Sequence, residues 1–219
     1  MAKFEDEIFV AAKGKVGDLI LSSWKGIPYL KSRPTAFHDA KTKRQLNHRM
    51  KFALLQKFLK SVKEYIKIGY CNSDKGQSYY TAATSYLWKN ALVGEYPDVR
   101  IDPAKVMVSL GKLEAPKTCA VTLEGDNAVF TWDKNEVENH VEGIRHALPL
   151  VYNFAKMQAC FFNSPFEISE GRAVISLPAE WRGDEVSCYI GFSNFKNDKS
   201  SNSQYLGTKN FAVSDSVNG

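Results

Sequence analysis

The sequence has no long apolar run. Leu148-Pro149-Leu150-Val151-Tyr152 is typical of its hydrophobic stretches, far short of the roughly 20 residues that cross a bilayer. It also has no leader pattern. Three acids fall within the first seven residues, Met1-Ala2-Lys3-Phe4-Glu5-Asp6-Glu7, where a secretory leader has a basic start and then an apolar core of about 7–15 residues. These absences predict a cytoplasmic chain without a membrane span, unless another route exports it or a particle incorporates it. Cysteine is scarce and scattered: Cys71, Cys119, Cys160 and Cys188 form no C-x-x-C and lie near no histidine in sequence. A zinc site takes two close ligand pairs, so free, buried thiols are expected. With 14 glycines and 8 prolines in 219 residues, a collagen-like or low-complexity chain is excluded. At 44% hydrophobic and 12% aromatic residues, so is a disordered one.

Catalytic signatures are missing too. There is no phosphate-binding G-x-x-x-x-G-K-[ST], no G-x-G-x-x-G, no G-x-S-x-G elbow and no H-E-x-x-H. Gly14-x-x-Gly17 is too short for a phosphate loop and precedes a strand rather than a helix. Asp133, Glu136, Glu138, His140 and Glu142 form an acidic loop, but without the glycine and alternation of a calcium loop. A solvated inter-strand loop is the expectation, and neither a metal nor another cofactor is assigned. A hydrolase working through this loop has only the residue counts behind it.

Charge, by contrast, is present and uneven. Residues 1–70 hold 15 Lys+Arg against 6 Asp+Glu, a net +9, while residues 71–219 hold 14 against 18, a net −4. Basic stretches draw anions such as nucleic acid, anionic lipid or acidic protein. Val16 to Trp24 and Ile27 to Arg33 read as the two arms of a β-hairpin with Lys25-Gly26 as the turn. Gly14 and Gly17 mark a bulge or a close approach, and Pro28 places the second arm at an edge near its start. Thr42-x-x-Gln45 reads as a capping box opening a helix to about Ile68, with Gly69 as its C-terminal cap. Leu46, Met50, Ala53, Leu54, Phe58, Val62 and Tyr65 share one helical face, and Arg49, Lys60, Lys63 and Lys67 form a basic ridge opposite. Ser78 caps a second helix to about Leu92. Its Tyr79, Tyr80, Tyr86 and Trp88 are either a wedge against a sheet or a stacking platform for bases. Lys105 to Ser109 alternates like a strand that completes a sheet with the hairpin.

From Ala115 onward short strands recur between turn signals: Thr118–Leu123, Ala128–Trp132, one or two within Ala147–Phe162, Arg172–Leu177, Glu185–Ser193 and Ser203–Phe211. About seven strands in roughly 100 residues is the pattern of an immunoglobulin-like sandwich. Trp132 and Tyr189-x-Gly191-x-Ser193-Asn194 resemble a fibronectin type III module, with both aromatics in the core. The predicted fold is α+β. A basic hairpin-and-two-helix domain over 1–110 precedes a fibronectin-III-like antiparallel sandwich over 111–219.

Over nearly its whole length the chain resembles a domain-of-unknown-function family common in Bacteroidota and often multi-copy. The resemblance rests on Gly14-Lys-Val-Gly17, Trp24-Lys-Gly26, Tyr29, Arg33-Pro34, Gln45-Leu46-x-x-Arg49, Phe52, the aromatic helix Tyr79 to Asn90, Gly94-x-Tyr-Pro97 and Ser201-x-Ser203-x-Tyr205-Leu206-Gly207. It implies a shape and no activity, and multi-copy occurrence fits a virion, appendage or mobile-element component.

The expected function is therefore that of a non-enzymatic structural or binding protein, with a protein partner or self-association. Trp24, Tyr29 and Arg33 are its interface candidates, because such residues bury large area while keeping polar ends. The alternative is sequence-nonspecific nucleic-acid binding through Lys13, Lys15, Lys25 and Lys31 of the hairpin and Arg49, Lys60, Lys63 and Lys67 of the helix, mainly to phosphates.

Overall fold

The computed structural model describes residues 2–3, 13–34, 36, 39–71, 76–134, 144–161, 166–194, 196 and 198–212. The chain forms two compact units, Met1–Thr42 and Lys43–Gly219. The boundary expected at 110/111 falls inside the second unit, because the helices share a core with the β-sheet that follows them.

The first unit is a four-stranded antiparallel sheet in the order β1-β4-β3-β2. The strands are β1 (Ala2–Lys3), β2 (Gly14–Val16), β3 (Leu19–Trp24) and β4 (Ile27–Ser32). The single first arm expected from Val16 to Trp24 is instead two strands. Val16 pairs with Leu19 around Gly17-Asp18, and Gly17 takes a φ of 58°. Gly17 is thus a hairpin turn, not a bulge.

The second unit opens with α1 (Lys43–Ser61) and α2 (Lys63–Gly69), where one helix was expected. The interruption is at Val62, whose φ of −109° and ψ of 17° leave the helical region. Just before it the Ser61 hydroxyl donates to the Phe58 carbonyl at 2.7 Å, a local side-chain bond that competes with the helical ladder. Leu55, Phe58, Leu59, Val62, Tyr65 and Ile66 are buried, whereas Ala53 of the expected face is exposed. After α3 (Tyr79–Asn90) comes a two-residue pairing of β5 (Leu92–Val93) with β6 (Arg100–Ile101). Ser78 caps α3, its hydroxyl accepting from the Thr81 N–H at 3.2 Å. The predicted strand at 105–109 does not form, because its polar groups are engaged elsewhere. The Val108 N–H donates to the Ser203 hydroxyl, the Ser109 carbonyl accepts from the Ser203 N–H, and the Leu110 N–H reaches the Gly69 carbonyl.

Two antiparallel sheets follow. One has the order β12-β8-β7, from β7 (Cys119–Glu124), β8 (Asn127–Trp132) and β12 (Arg172–Ser176). The other has the order β10-β9-β13-β14, from β9 (Ile144–Asn153), β10 (Gln158–Cys160), β13 (Glu185–Asn194) and β14 (Gln204–Asn210). In it β11 (Phe166–Glu167) also pairs with β9. The protein is α+β.

Strand alternation sorts the larger sheet into two cores. Val186, Cys188, Ile190 and Phe192 of β13, with Ala147 and Val151 of β9, pack with Val121, Phe130 and Trp132 of the smaller sheet. Leu148, Leu150, Tyr152 and Tyr189 point the other way and pack with Phe58, Leu59, Ile66 and Leu87 of the helices. Trp132 and Tyr189 are both core residues, as expected, but they lie in different cores. The Trp132 indole donates to the Ile168 carbonyl at 2.8 Å, and the Tyr189 hydroxyl to the Pro103 carbonyl at 2.8 Å. None of the four cysteines is in a disulfide; Cys188 is buried, and Cys71, Cys119 and Cys160 are half-buried. No helix among the described residues is long and apolar enough to cross a membrane.

Gly69 does not act as a left-handed cap. A Cβ there would stand 2.4 Å from the Val108 carbonyl oxygen, so this helix end needs glycine for close approach. Replacing a helical glycine by alanine ordinarily stabilises by about 1 kcal/mol. Here Gly69→Ala is expected to destabilise by about 2 kcal/mol through overpacking, lowering the thermal midpoint by several degrees; an unchanged or raised midpoint would contradict the fit.

The turn between β9 and β10 is held by Asp184, whose carboxylate accepts from the Lys156 ammonium and, at 2.8 Å, from the Asn153 amide. These bonds hold the Asp184 pKa below its usual value, the Lys156 bond contributing most. A depressed carboxylate adds stability above its unfolded pKa of about 3.9 and loses it as pH falls through the folded value. Asp184→Asn should therefore melt below the wild type at neutral pH, and the gap should close as the melts are repeated at falling pH down to about 2. A gap that persists unchanged in acid would assign it to packing.

Candidate functional site

The N-terminal sheet places its side chains by register. Antiparallel partners share a face, so three rows can be read across one face: Lys15, Ile20 and Lys31; then Ser22 and Tyr29; then Trp24 and Ile27. The other face carries Val16, Leu19 and Ser32, then Gly14, Leu21 and Leu30, then Ser23 and Pro28. One face is thus basic and aromatic, and the other has no charged residue among the described strand positions. Rows along a strand are about 7 Å apart, so Trp24 stands roughly 14 Å from the Lys15–Lys31 row. Lys15 and Lys31 flank Ile20 on either side, about 10 Å apart across two strand spacings.

None of residues 13–34, 36 and 39–42 of this unit is buried. Trp24 is 65% exposed, Val16 66%, Ile27 46% and Leu19 43%. The only other large apolar side chains exposed to this degree among the described residues are Phe52 and Tyr96. The Trp24–Ile27 turn explains how an indole is kept at the tip. Lys25 and Gly26 both take positive φ, 50° and 82°, the geometry of a type I′ turn that matches strand twist. The Lys25 ammonium lies 5.0 Å from the Trp24 ring centroid, within cation–π range.

Of the interface candidates, Trp24 and Tyr29 therefore share a face, with Tyr29 half-buried. Arg33 lies just past β4; its side chain is exposed, and its N–H donates to the Asp18 carbonyl at 2.6 Å. Of the hairpin cations, Lys15 and Lys31 share the Trp24 face, Lys25 sits in the turn, and Lys13 is exposed just before β2.

The expected single basic ridge is divided. Arg49 and Lys60 are exposed on α1, eleven residues apart and so about three turns along one face. Lys63 and Lys67 are exposed on α2, beyond the interruption at Val62. All four belong to the second unit, whereas the hairpin lysines belong to the first.

The aromatic set of α3 acts as a wedge. Tyr79, Tyr80, Tyr86 and Trp88 are half-buried against the helix–sheet core. Tyr80 donates to the Gln56 side chain at 2.7 Å, and Trp88 packs on the His48 ring at 4.8 Å. In the acidic loop Asp133 is half-buried, while Glu136, Glu138, His140 and Glu142 lie outside the described residues. Among the described residues no three His, Cys, Asp or Glu side chains cluster as metal ligands.

Two features of the surface escaped sequence reasoning. The turn at Gly17-Asp18 had a signal, a glycine-acid pair between two short alternating runs. The separation of a charged from an uncharged face had none until the register was known, because a one-residue slip exchanges the faces.

No curated protein matches the chain. The sequence profile of a family of unknown function, DUF6266, matches residues 11–207, which takes in β2 to β4 and most of the second unit. The chain belongs to this family of unknown function.

Proposed function

We propose that this is a non-enzymatic binding or assembly protein whose contact surface is the Trp24 face of the N-terminal sheet, carried by a fibronectin-III-like scaffold. One observation carries the reading: a four-stranded sheet in which no residue of β2 to β4 is buried keeps an indole two-thirds exposed beside a tight turn. Apolar area held in water this way is what an interface removes, and Trp, Tyr and Arg dominate such anchors. The strand orders β12-β8-β7 and β10-β9-β13-β14 support the scaffold assignment. The partner in this reading is a protein or a second copy of the chain.

A second reading has its own observation. Lys15 and Lys31 stand on the same face as Tyr29 and Trp24, and aromatic rings beside lysines are also how single-stranded nucleic acid is held.

Light scattering of the full-length protein separates the two. Assembly predicts concentration-dependent self-association that Trp24→Ala weakens by about 30-fold, the effect of losing a ~2 kcal/mol anchor, with the thermal midpoint unchanged at dilutions where neither protein is associated, because the ring is largely exposed. Assembly unaffected by Trp24→Ala would count against the first reading. A complex with a single-stranded oligonucleotide that dissolves as salt rises and is lost in Lys15→Glu/Lys31→Glu would establish the second.

A further inference from the structure

A cleft of about 490 Å³ opens in the second unit between the C-terminal half of α3 and the start of β14. That volume is within the range of small-molecule sites, about 300–1,000 Å³. The side chains that give it chemical character are Tyr86, Lys89, Asn90, Lys105, Ser203 and Tyr205, and no carboxylate is among its lining residues.

These groups differ in how firmly they are held. The Tyr205 ring rests on Tyr189 at 5.4 Å, and its hydroxyl shares a 2.7 Å hydrogen bond with Thr208. The Ser203 hydroxyl accepts from the Val108 N–H at 3.0 Å, which leaves its own hydrogen to donate. Asn90 donates to the Tyr86 carbonyl at 2.8 Å. The cations are the flexible part. Lys105 lies 3.5 Å from the Asp102 carboxylate, so its charge is partly answered. Lys89 makes no ion pair among the described residues. It stands in the last turn of α3, where a cation also answers the negative helix end. A cation ligand would face two ammonium groups without a carboxylate, and a wholly polar anion would leave the rings unused.

We propose that this cleft binds a small aromatic anion, a ring bearing one carboxylate or phosphate, with its ring between Tyr86 and Tyr205 and its anionic group at Lys89. All its lining residues belong to the second unit. Isothermal titration of the full-length protein tests it, with phenyl phosphate and benzoate as probes and inorganic phosphate and benzyl alcohol as their separate halves. Saturable binding of at least one aromatic anion is expected, at least tenfold tighter than either half alone. Lys89→Ala should weaken it tenfold or more with its thermal midpoint unchanged, and Lys60→Ala, an exposed lysine of α1 outside the cleft, should leave it as it was. Three results overturn the proposal: no saturation up to about 10 mM, inorganic phosphate binding as tightly as phenyl phosphate, or equal losses in the two lysine variants.

Discussion

A helix that ends against a sheet leaves carbonyls without partners, and burial makes each of them costly to leave bare. At the end of α2 the Gly69 carbonyl accepts from the Leu110 N–H at 2.9 Å, the Ser200 hydroxyl at 2.8 Å and the Ser109 hydroxyl at 3.2 Å. The Ser109 hydroxyl also lies 2.6 Å from the Ser201 carbonyl, and the Ser201 hydroxyl accepts from the Phe192 N–H at 3.0 Å. Three segments far apart in sequence meet here: the helix end, the stretch around 109 and the turn before β14. Ser109, Ser200 and Ser201 are all fully buried. Small hydroxyl side chains suit this place because they satisfy backbone groups without holding the segments apart. The same demand for closeness applies to β13. A Cβ on Gly191 would come within 3.1 Å of both Ser109 and the Tyr65 hydroxyl.

This clasp lets β13 be covered on both faces. Its residues 186–193 are buried without interruption, apolar toward the smaller sheet and small or hydrogen-bonded toward the helices. Tyr65 shows the second solution: its hydroxyl donates to the Leu148 carbonyl at 2.6 Å, and burial pushes its pKa well above the ordinary phenol value. Cys188, on the other face, is pushed up to about 12 by burial and stays a thiol at physiological pH, a packing group rather than a nucleophile.

How much of this was legible depended on whether the information was local. Strands β7, β8, β12, β13 and β14 were read from alternation to within a residue or two, and the Lys25-Gly26 turn and the Ser78 cap from their residue types. What failed was decided by distant groups. The alternation of 105–109 is a strand pattern, but Ser203 and Gly69 take its hydrogen bonds first. Gly69 reads as a cap because glycines usually end helices; its actual constraint is the Val108 carbonyl, 39 positions away. The domain boundary failed for the same reason. The helices are basic like the hairpin, so charge grouped them with it, while their apolar face belongs to Leu148, Leu150, Tyr152 and Tyr189. Of the candidate surface, the residue types were legible and the shared face was not.

The four tryptophans bear on the proposal that a partner docks on the N-terminal sheet. Trp132 and Trp181 are buried, each indole N–H donating within hydrogen-bond distance, to the Ile168 carbonyl and the Gln158 side chain respectively. Trp88 is half-buried and packs on His48. Trp24 has a lysine beside its ring and solvent around most of the rest. A small sheet with no buried residue in β2 to β4 gains little stability from those strands' own contacts, so a partner that covers the Trp24 face would supply a buried layer there. Anything that binds only the folded form adds its binding free energy to stability. On the proposed reading, then, the exposed indole and the thin sheet have one cause: part of this unit's core is contributed by what it binds.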